Sequence, residues 1–316
     1  MNLTLQQIKE VTVGSLCTEA ESDGIHFHKC TQKQVDAWSA LNRGLGERAE
    51  TTTGVRLDFH TDAKELTFTV GGKGKYELLI NGLLREKFVA EQAGDVFTAP
   101  LCDPLGEPLD EVRVTLCLPS HSVGILRELS LEGGTLLRPH AHARKILFLG
   151  DSITQGWDAT FDSLSYAYRV SLALDVDSVI QGIGGAYFHE TTLDTLPYDP
   201  DLVLVAYGTN DFGHYKTLDE FRTHVAAFLD RLVELYGTKR IMILSPIWRG
   251  HRDGKAMGSF PDCRATLIEQ IKQRGLTHID GLELVPPIPS LFADEYLHPN
   301  DLGFSLYAQN LIERLK

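Results

Sequence analysis

The sequence predicts an α/β protein in two parts. An all-β, jelly-roll-like sandwich is expected over residues 1–140, and a three-layer α/β/α domain built on a parallel sheet over residues 141–316. Three observations predict it. Up to about residue 138, short stretches alternate apolar and polar residues between turn-forming segments, the pattern of half-buried strands. Beyond that point short apolar runs alternate with helical periodicity, which implies a parallel sheet with helices on both faces. The length of 316 residues also exceeds what one hydrophobic core usually serves, so two domains are expected.

In the first part, strands are expected at 25–29, 55–60, 66–70, 76–80, 112–118 and 125–131. Val55-Arg56-Leu57-Asp58-Phe59-His60 and Leu66-Thr67-Phe68-Thr69-Val70 both alternate, and Thr61-Asp62-Ala63-Lys64 supplies a turn, so the pair is predicted to form a hairpin. Gly71-Gly72-Lys73-Gly74 and Cys102-Asp103-Pro104-Leu105-Gly106 punctuate the strands. The boundary is placed in the polar, proline-containing stretch 137–144. Past it, strands at 146–149, 178–180, 202–206 and 241–244 alternate with helices at 165–174, 218–236, 261–274 and 300–315. The chain carries no internal repeat and no low-complexity tract.

Composition bounds the partners. With 43% hydrophobic and 23% charged residues the chain reads as soluble and globular. A net charge of −13 argues against nucleic acid, anionic membranes and polyanionic substrates, and favours a neutral small molecule or oligosaccharide. It does not speak to oligomeric state. The first ten residues lack the basic and apolar segments of a signal peptide, and no run approaches the roughly 18 apolar residues of a membrane span. Five cysteines, an odd number without Cys-x-x-Cys spacing, read as reduced thiols in a cytoplasmic protein.

The chemistry is concentrated at the ends of the expected parallel strands. Gly150-Asp151-Ser152-Ile153 follows Ile146-Leu147-Phe148-Leu149, which puts a serine at a strand's carboxyl end, where α/β sheets bind ligands. Gln181-Gly182-Ile183-Gly184-Gly185 follows Ser178-Val179-Ile180 as a glycine turn. Tyr207-Gly208-Thr209-Asn210-Asp211 follows Leu202-Val203-Leu204-Val205-Ala206, and Asp294-Glu295-Tyr296-Leu297-His298-Pro299-Asn300 lies near the C-terminus. Serine, glycine turn, asparagine and histidine in this order resemble the SGNH (GDSL-type) hydrolase family over about residues 143–316.

That resemblance implies a set of roles. Ser152 is the nucleophile, and it needs a base because a free hydroxyl is weakly nucleophilic at neutral pH. His298 is that base, its neutral imidazole taking the proton and later returning it to the leaving group. The oxyanion is received by the Ser152 N–H, the Gly185 N–H (or that of Gly184) and the Asn210 amide. The family's aspartate falls three residues before the histidine; here that position is Glu295, and Asp294 lies four before. Three arrangements therefore stay open, with Glu295 first, then Asp294 through a rearranged loop, then a backbone carbonyl.

Asp151 and Asp211 read as structural groups, a helix cap and a loop brace. Trp157, Phe212 and Trp248 are candidate walls of the site, since aromatic faces suit sugar rings. No metal site is expected: His26-x-His28 and His140-x-His142 lack a matching ligand cluster. Gly71-Gly72-Lys73-Gly74 is no phosphate loop, and no cofactor is implied. The resemblance points to a serine esterase acting on short, acetyl-type esters of a carbohydrate. A lysophospholipase- or thioesterase-type hydrolase, and a non-catalytic carbohydrate binder on a decayed hydrolase fold, are the alternatives.

Overall fold

The computed structural model describes residues 1–316. The chain forms two compact units: Met1–Cys30 with Glu50–Ala143, and Thr31–Ala49 with Arg144–Lys316.

The first unit opens with helix α1 (Leu5–Val11), started by a reciprocal capping box between Thr4 and Gln7. Its strands are β1 (Thr12–Val13), β2 (Cys17–Glu21), β3 (Gly24–His28), β4 (Arg56–Thr61), β5 (Glu65–Val70), β6 (Gly74–Ile80), β7 (Leu83–Ala90), β8 (Val96–Pro100), β9 (Val112–Cys117), β10 (Leu126–Glu132) and β11 (Arg138–Pro139). They build two antiparallel sheets, β1-β4-β9-β6-β7 with β11 beside β4, and β2-β3-β10-β5-β8. Alternation does what the sequence promised. Leu66, Phe68 and Val70 of β5 and Leu129 and Leu131 of β10 meet Leu57, Phe59, Val114 and Leu116 of the other sheet in one core.

The expected hairpin between 55–60 and 66–70 does not form. β4 and β5 belong to opposite sheets, and the three residues between them, Asp62, Ala63 and Lys64, carry the chain across the roughly 10 Å that separates packed sheets. Asp62 Oδ1 accepts from the N–H groups of Thr135 and Leu136, each at 2.8 Å, and the Lys64 N–H donates to Glu132 O at 2.7 Å. These bonds hold the turn to the chain at the end of β10 instead of closing a β4–β5 ladder. Alternation fixes which face of a strand is buried, but not which strand lies beside it.

The second unit begins inside the stretch assigned by sequence to the sandwich. Residues 31–49 form α2 (Gln32–Leu41) and α3 (Arg43–Ala49). Thr31 caps α2 in another capping box and its hydroxyl reaches Asp194 Oδ2 at 2.8 Å. The Gln34 amide pairs with that of Gln181 at 3.0 Å, and Trp38 is buried with its ring edge-on to Tyr187. The remaining elements are β12 (Lys145–Gly150), α4 (Ser152–Gln155), α5 (Tyr166–Ala173), β13 (Asp177–Gly182), β14 (Leu202–Ala206), α6 (Asp211–His214), α7 (Leu218–Tyr236), β15 (Ile241–Leu244), α8 (Phe260–Gln273), β16 (Thr277–Ile279) and α9 (Asp301–Leu315).

The sheet is wholly parallel in the order β13-β12-β14-β15-β16, between helical layers. Ile146, Leu147, Phe148 and Leu149 are all buried, as a central strand covered on both faces requires. Helix α7 buries Phe221, Val225, Phe228, Leu229 and Leu232, a stripe at three- and four-residue spacing. Helices α5 and α9 meet through Tyr166 and Tyr307, stacked 4.0 Å apart and nearly parallel. Because β12 is flanked by β13 on one side and β14 on the other, the crossovers reverse direction there. That switch point opens a crevice at the carboxyl ends of those strands.

Candidate active site

The serine sits where β12 ends. Gly150 is required by space, since a Cβ there would lie 2.0 Å from Thr154 Oγ1. Asp151 caps α4 by accepting from the Ile153 N–H at 2.9 Å, and the Ser152 N–H has no bond within the protein. Ser152 Oγ lies 2.9 Å from His298 Nε2, across 146 residues of sequence.

The histidine is held by Asp294. One carboxylate oxygen, Oδ1, accepts from the backbone N–H groups of Tyr296, Leu297 and His298 at 3.0, 2.7 and 3.1 Å. The other, Oδ2, is 2.9 Å from His298 Nδ1. Burial pushes the Asp294 carboxyl up, but these donors more than offset it and hold the group below the usual aspartate value. The expected preference for Glu295 is reversed. Glu295 is exposed, its side chain makes no hydrogen bond, and its backbone adopts a φ of +64°. That left-handed residue lets the chain curl so that a position four before the histidine, not three, delivers the carboxylate.

Two more groups surround the imidazole. Asp158 Oδ2 is 3.6 Å from His298 Nδ1, and the exposed Trp157 places its ring 6.4 Å from that of His298. The sequence pointed to Trp157 but not to its neighbour. Asp158 has a φ of +70°, and no local pattern announces that turn.

The glycine turn distinguishes its two candidates. The Gly184 N–H donates to the buried Gln155 Oε1 at 2.8 Å, and Gly184 O accepts from Arg48 at 3.0 Å. Gly185 is exposed, has a φ of +85°, and its N–H is bonded to nothing in the chain. Gly185 is thus the free donor, with Leu45 and Arg48 of α3 beside it. Neither of those residues carried a sequence signal, because 31–49 contains no motif and lies over 130 residues from the turn. Asn210 donates one amide hydrogen to Ala186 O at 3.0 Å, which fixes the side chain and leaves the second hydrogen available.

Asp151 and Asp211 take structural positions. Asp211 Oδ1 accepts from the Phe188 N–H at 2.9 Å, so it braces the loop after the glycine turn as well as its own segment, while its Oδ2 is buried without a partner. Burial pushes both carboxyls up to about 7. Of the three aromatics, only Trp157 adjoins the serine–histidine pair. Phe212 is fully buried against Phe260 and beneath the Arg249 guanidinium, so it is no wall of the site. Trp248 packs on Phe292, with ring centres 5.0 Å apart. It stands one residue before the buried Arg249, whose charge is held by Thr209 O at 2.8 Å.

Similar solved structures share this architecture. A salicylyl-acyltransferase from a tetracycline biosynthetic pathway is 18% identical with a TM-score of 0.80, covering 95% of this chain and 92% of its own. A family two carbohydrate esterase from Cellvibrio japonicus is 17% identical with a TM-score of 0.68 and coverages of 100% and 96%. An acetyl xylan esterase from Butyrivibrio proteoclasticus is 14% identical with a TM-score of 0.66 and coverages of 100% and 97%. At these identities the likeness is one of fold. Comparison with curated protein sequences gives no match. No helix is long and apolar enough to cross a membrane. Residues 148–306, half of the chain and the part that holds Ser152, Gly185, Asn210 and His298, match the GDSL-like lipase/acylhydrolase family, and the chain belongs to it.

Proposed function

We propose that this family member is a serine esterase that removes short acyl groups, acetyl above all, from a carbohydrate. The observation that carries the proposal is the continuous relay Ser152 Oγ–His298 Nε2 (2.9 Å) and His298 Nδ1–Asp294 Oδ2 (2.9 Å). With Nδ1–H donated to the carboxylate, Nε2 is left as the acceptor for the serine proton.

Ser152 Oγ attacks the ester carbonyl carbon as its proton passes to His298 Nε2. The carbonyl oxygen becomes an anion received by the N–H groups of Ser152 and Gly185 and by the free Asn210 amide hydrogen. The intermediate collapses, the C–O bond to the sugar breaks, and the imidazolium returns its proton to the departing hydroxyl. Water, deprotonated by His298, then attacks the acyl-enzyme, the bond to Ser152 Oγ breaks, and the imidazolium returns the proton to Oγ as the acid leaves. Asp294 stabilises the imidazolium in both halves. Trp157 supports the carbohydrate reading, being an exposed aromatic face beside the reacting pair, as does the fold shared with two carbohydrate esterases.

The test is release of acetate from acetylated xylo-oligosaccharides and of p-nitrophenol from acetyl, butyryl and octanoyl esters. Wild-type activity should fall with acyl length and vanish in Ser152→Ala. Equal turnover by Ser152→Ala, or a preference for the octanoyl ester, would overturn the mechanism or the acyl assignment respectively.

A further inference from the structure

We propose that His189, Glu190 and His224 form a site for one divalent zinc-like cation, which fastens the segment after the Gly185 turn to helix α7. His189 and Glu190 lie on the loop that follows the turn, and His224 lies on α7. The Nδ1 atoms of both histidines converge on one oxygen, Glu190 Oε2, at 3.9 Å from His189 and 3.4 Å from His224. Their rings are 5.0 Å apart and inclined by 29°, and the three donor atoms all lie within 4.8 Å of one another.

That spacing is close to what an ion demands. A tetrahedral zinc with ligands at about 2.0–2.1 Å holds its donors roughly 3.3–3.4 Å apart, so the 3.4 Å pair already fits, the 3.9 Å pair must close by about half an ångström, and the histidine–histidine pair, within 4.8 Å, must close by up to about 1.4 Å. Two imidazoles and one carboxylate suit zinc, whereas calcium and magnesium prefer all-oxygen sets. The side chains are 17%, 36% and 29% exposed, so an ion can enter from solvent and keep a water as its fourth ligand. His189 Nδ1 now bonds Thr191 Oγ1 at 2.9 Å, and coordination must replace that bond.

The consequence reaches the glycine turn. Between Gly185 and His189, Ala186 O accepts from Asn210, and Phe188 is bound through its N–H to Asp211 and through its carbonyl to the Tyr215 hydroxyl. An ion at the far end of this short segment would hold it to α7 as well. No sequence motif marks the site, because the ligands are split between neighbours and a helix 34 residues away, outside any metal-binding spacing.

The test uses the full chain, stripped with a chelator and titrated with zinc chloride by calorimetry, with cobalt(II) absorption as a second readout. Saturable 1:1 binding and a rise in Tm are expected. His189→Ala and His224→Ala should each weaken binding at least tenfold, Thr191→Val should tighten it, and His298→Ala should leave it unchanged. Absence of stoichiometric binding, wild-type binding by either histidine variant, or its loss in His298→Ala would each overturn the proposal, the last by placing the ion at the serine–histidine pair.

Discussion

Replacing Asp294 by asparagine isolates the chemistry of the relay from the folding of its loop. The amide oxygen can keep the three backbone bonds that Oδ1 now accepts, so the turn from residue 294 to 298 stays closed. Only the atom facing His298 Nδ1 changes, from a carboxylate oxygen to an N–H donor. To avoid donor against donor, the imidazole must carry its proton on Nε2, which removes the acceptor from Ser152. A tautomer error of this kind costs on the order of 10⁴ in kcat in serine proteases. Here Asp158 can recover part of it. At 3.6 Å from Nδ1, in a site open to water, its charge is worth about 1 kcal/mol, or roughly fivefold. The expected loss is therefore about 10³-fold, on the order of 4 kcal/mol of transition-state stabilisation. The assay is kcat on p-nitrophenyl acetate, corrected for active fraction by phosphonate titration, with Tm measured alongside. Glu295→Ala should stay within about twofold of wild type, since its side chain touches nothing. Asp294→Ala should add a loss of roughly 2–3 kcal/mol in stability, because three backbone donors lose their acceptor. If Asp294→Asn keeps more than a tenth of wild-type kcat while Glu295→Ala loses more, the relay drawn above is wrong.

Other outcomes follow from the same geometry. Asn210→Ala should lower kcat by about 100-fold or more with a smaller change in KM, because its free hydrogen acts on charge that exists only in the transition state; an effect confined to KM would assign it to binding. Asp158→Asn should change kcat by less than about twofold alone but by roughly fivefold when added to Asp294→Asn, where its charge is the one left beside His298 Nδ1, so an equal effect in both backgrounds would exclude that compensating role. Gly185→Ala meets no atom closer than 3.5 Å but must hold a positive φ, so about 1–2 kcal/mol of strain and a displaced N–H should reduce kcat more than Tm. Burial pushes the Asp211 carboxyl up to about 7 in the folded state, whereas the unfolded chain releases the proton near the ordinary aspartate value of 3.8, so its contribution to stability falls as pH rises through that window. Asp211→Asn should accordingly gain Tm relative to wild type between about pH 5 and 8, and a constant difference would show that the buried carboxyl is already charged.

The fold was legible wherever one periodicity decided the matter. Helix α7 and strands β12 and β14 sit within a residue or so of their expected bounds, since 3.6- and 2-residue patterns and solid apolar runs survive any tertiary context. What did not show is pairing across distance. The turn at 61–64 reads the same whether it closes a hairpin or crosses between sheets, and only the acceptors at Glu132 and Asp62 decide between them. Helices α2 and α3 lie among strands in the sequence, yet Gln34 and Trp38 find their partners at Gln181 and Tyr187, some 150 residues on.

The site divides along the same line. Ser152, Gly185, Asn210 and His298 occupy strand ends and turns, where local sequence dictates local geometry, and the structure gathers Ser152 and His298 into hydrogen-bond contact. Spacing ranks Glu295 ahead of Asp294, the reverse of the observed contact, because spacing along the chain stands in for distance only when the backbone between is regular. Here it is not. Glu295 at φ +64° turns the chain left-handed, which swings its own side chain to solvent and brings the preceding carboxylate under the imidazole. The same left-handed turn lets one oxygen of Asp294 collect three N–H groups while the other meets Nδ1, a division of labour that needs a short, rigid side chain. A glutamate at either position reaches further but cannot close that ring of backbone bonds without opening the turn. The aspartate is therefore fixed by the loop it builds as much as by its bond to the imidazole, and moving the carboxylate to residue 295 by the exchange Asp294→Glu with Glu295→Asp should lower both kcat on p-nitrophenyl acetate and Tm.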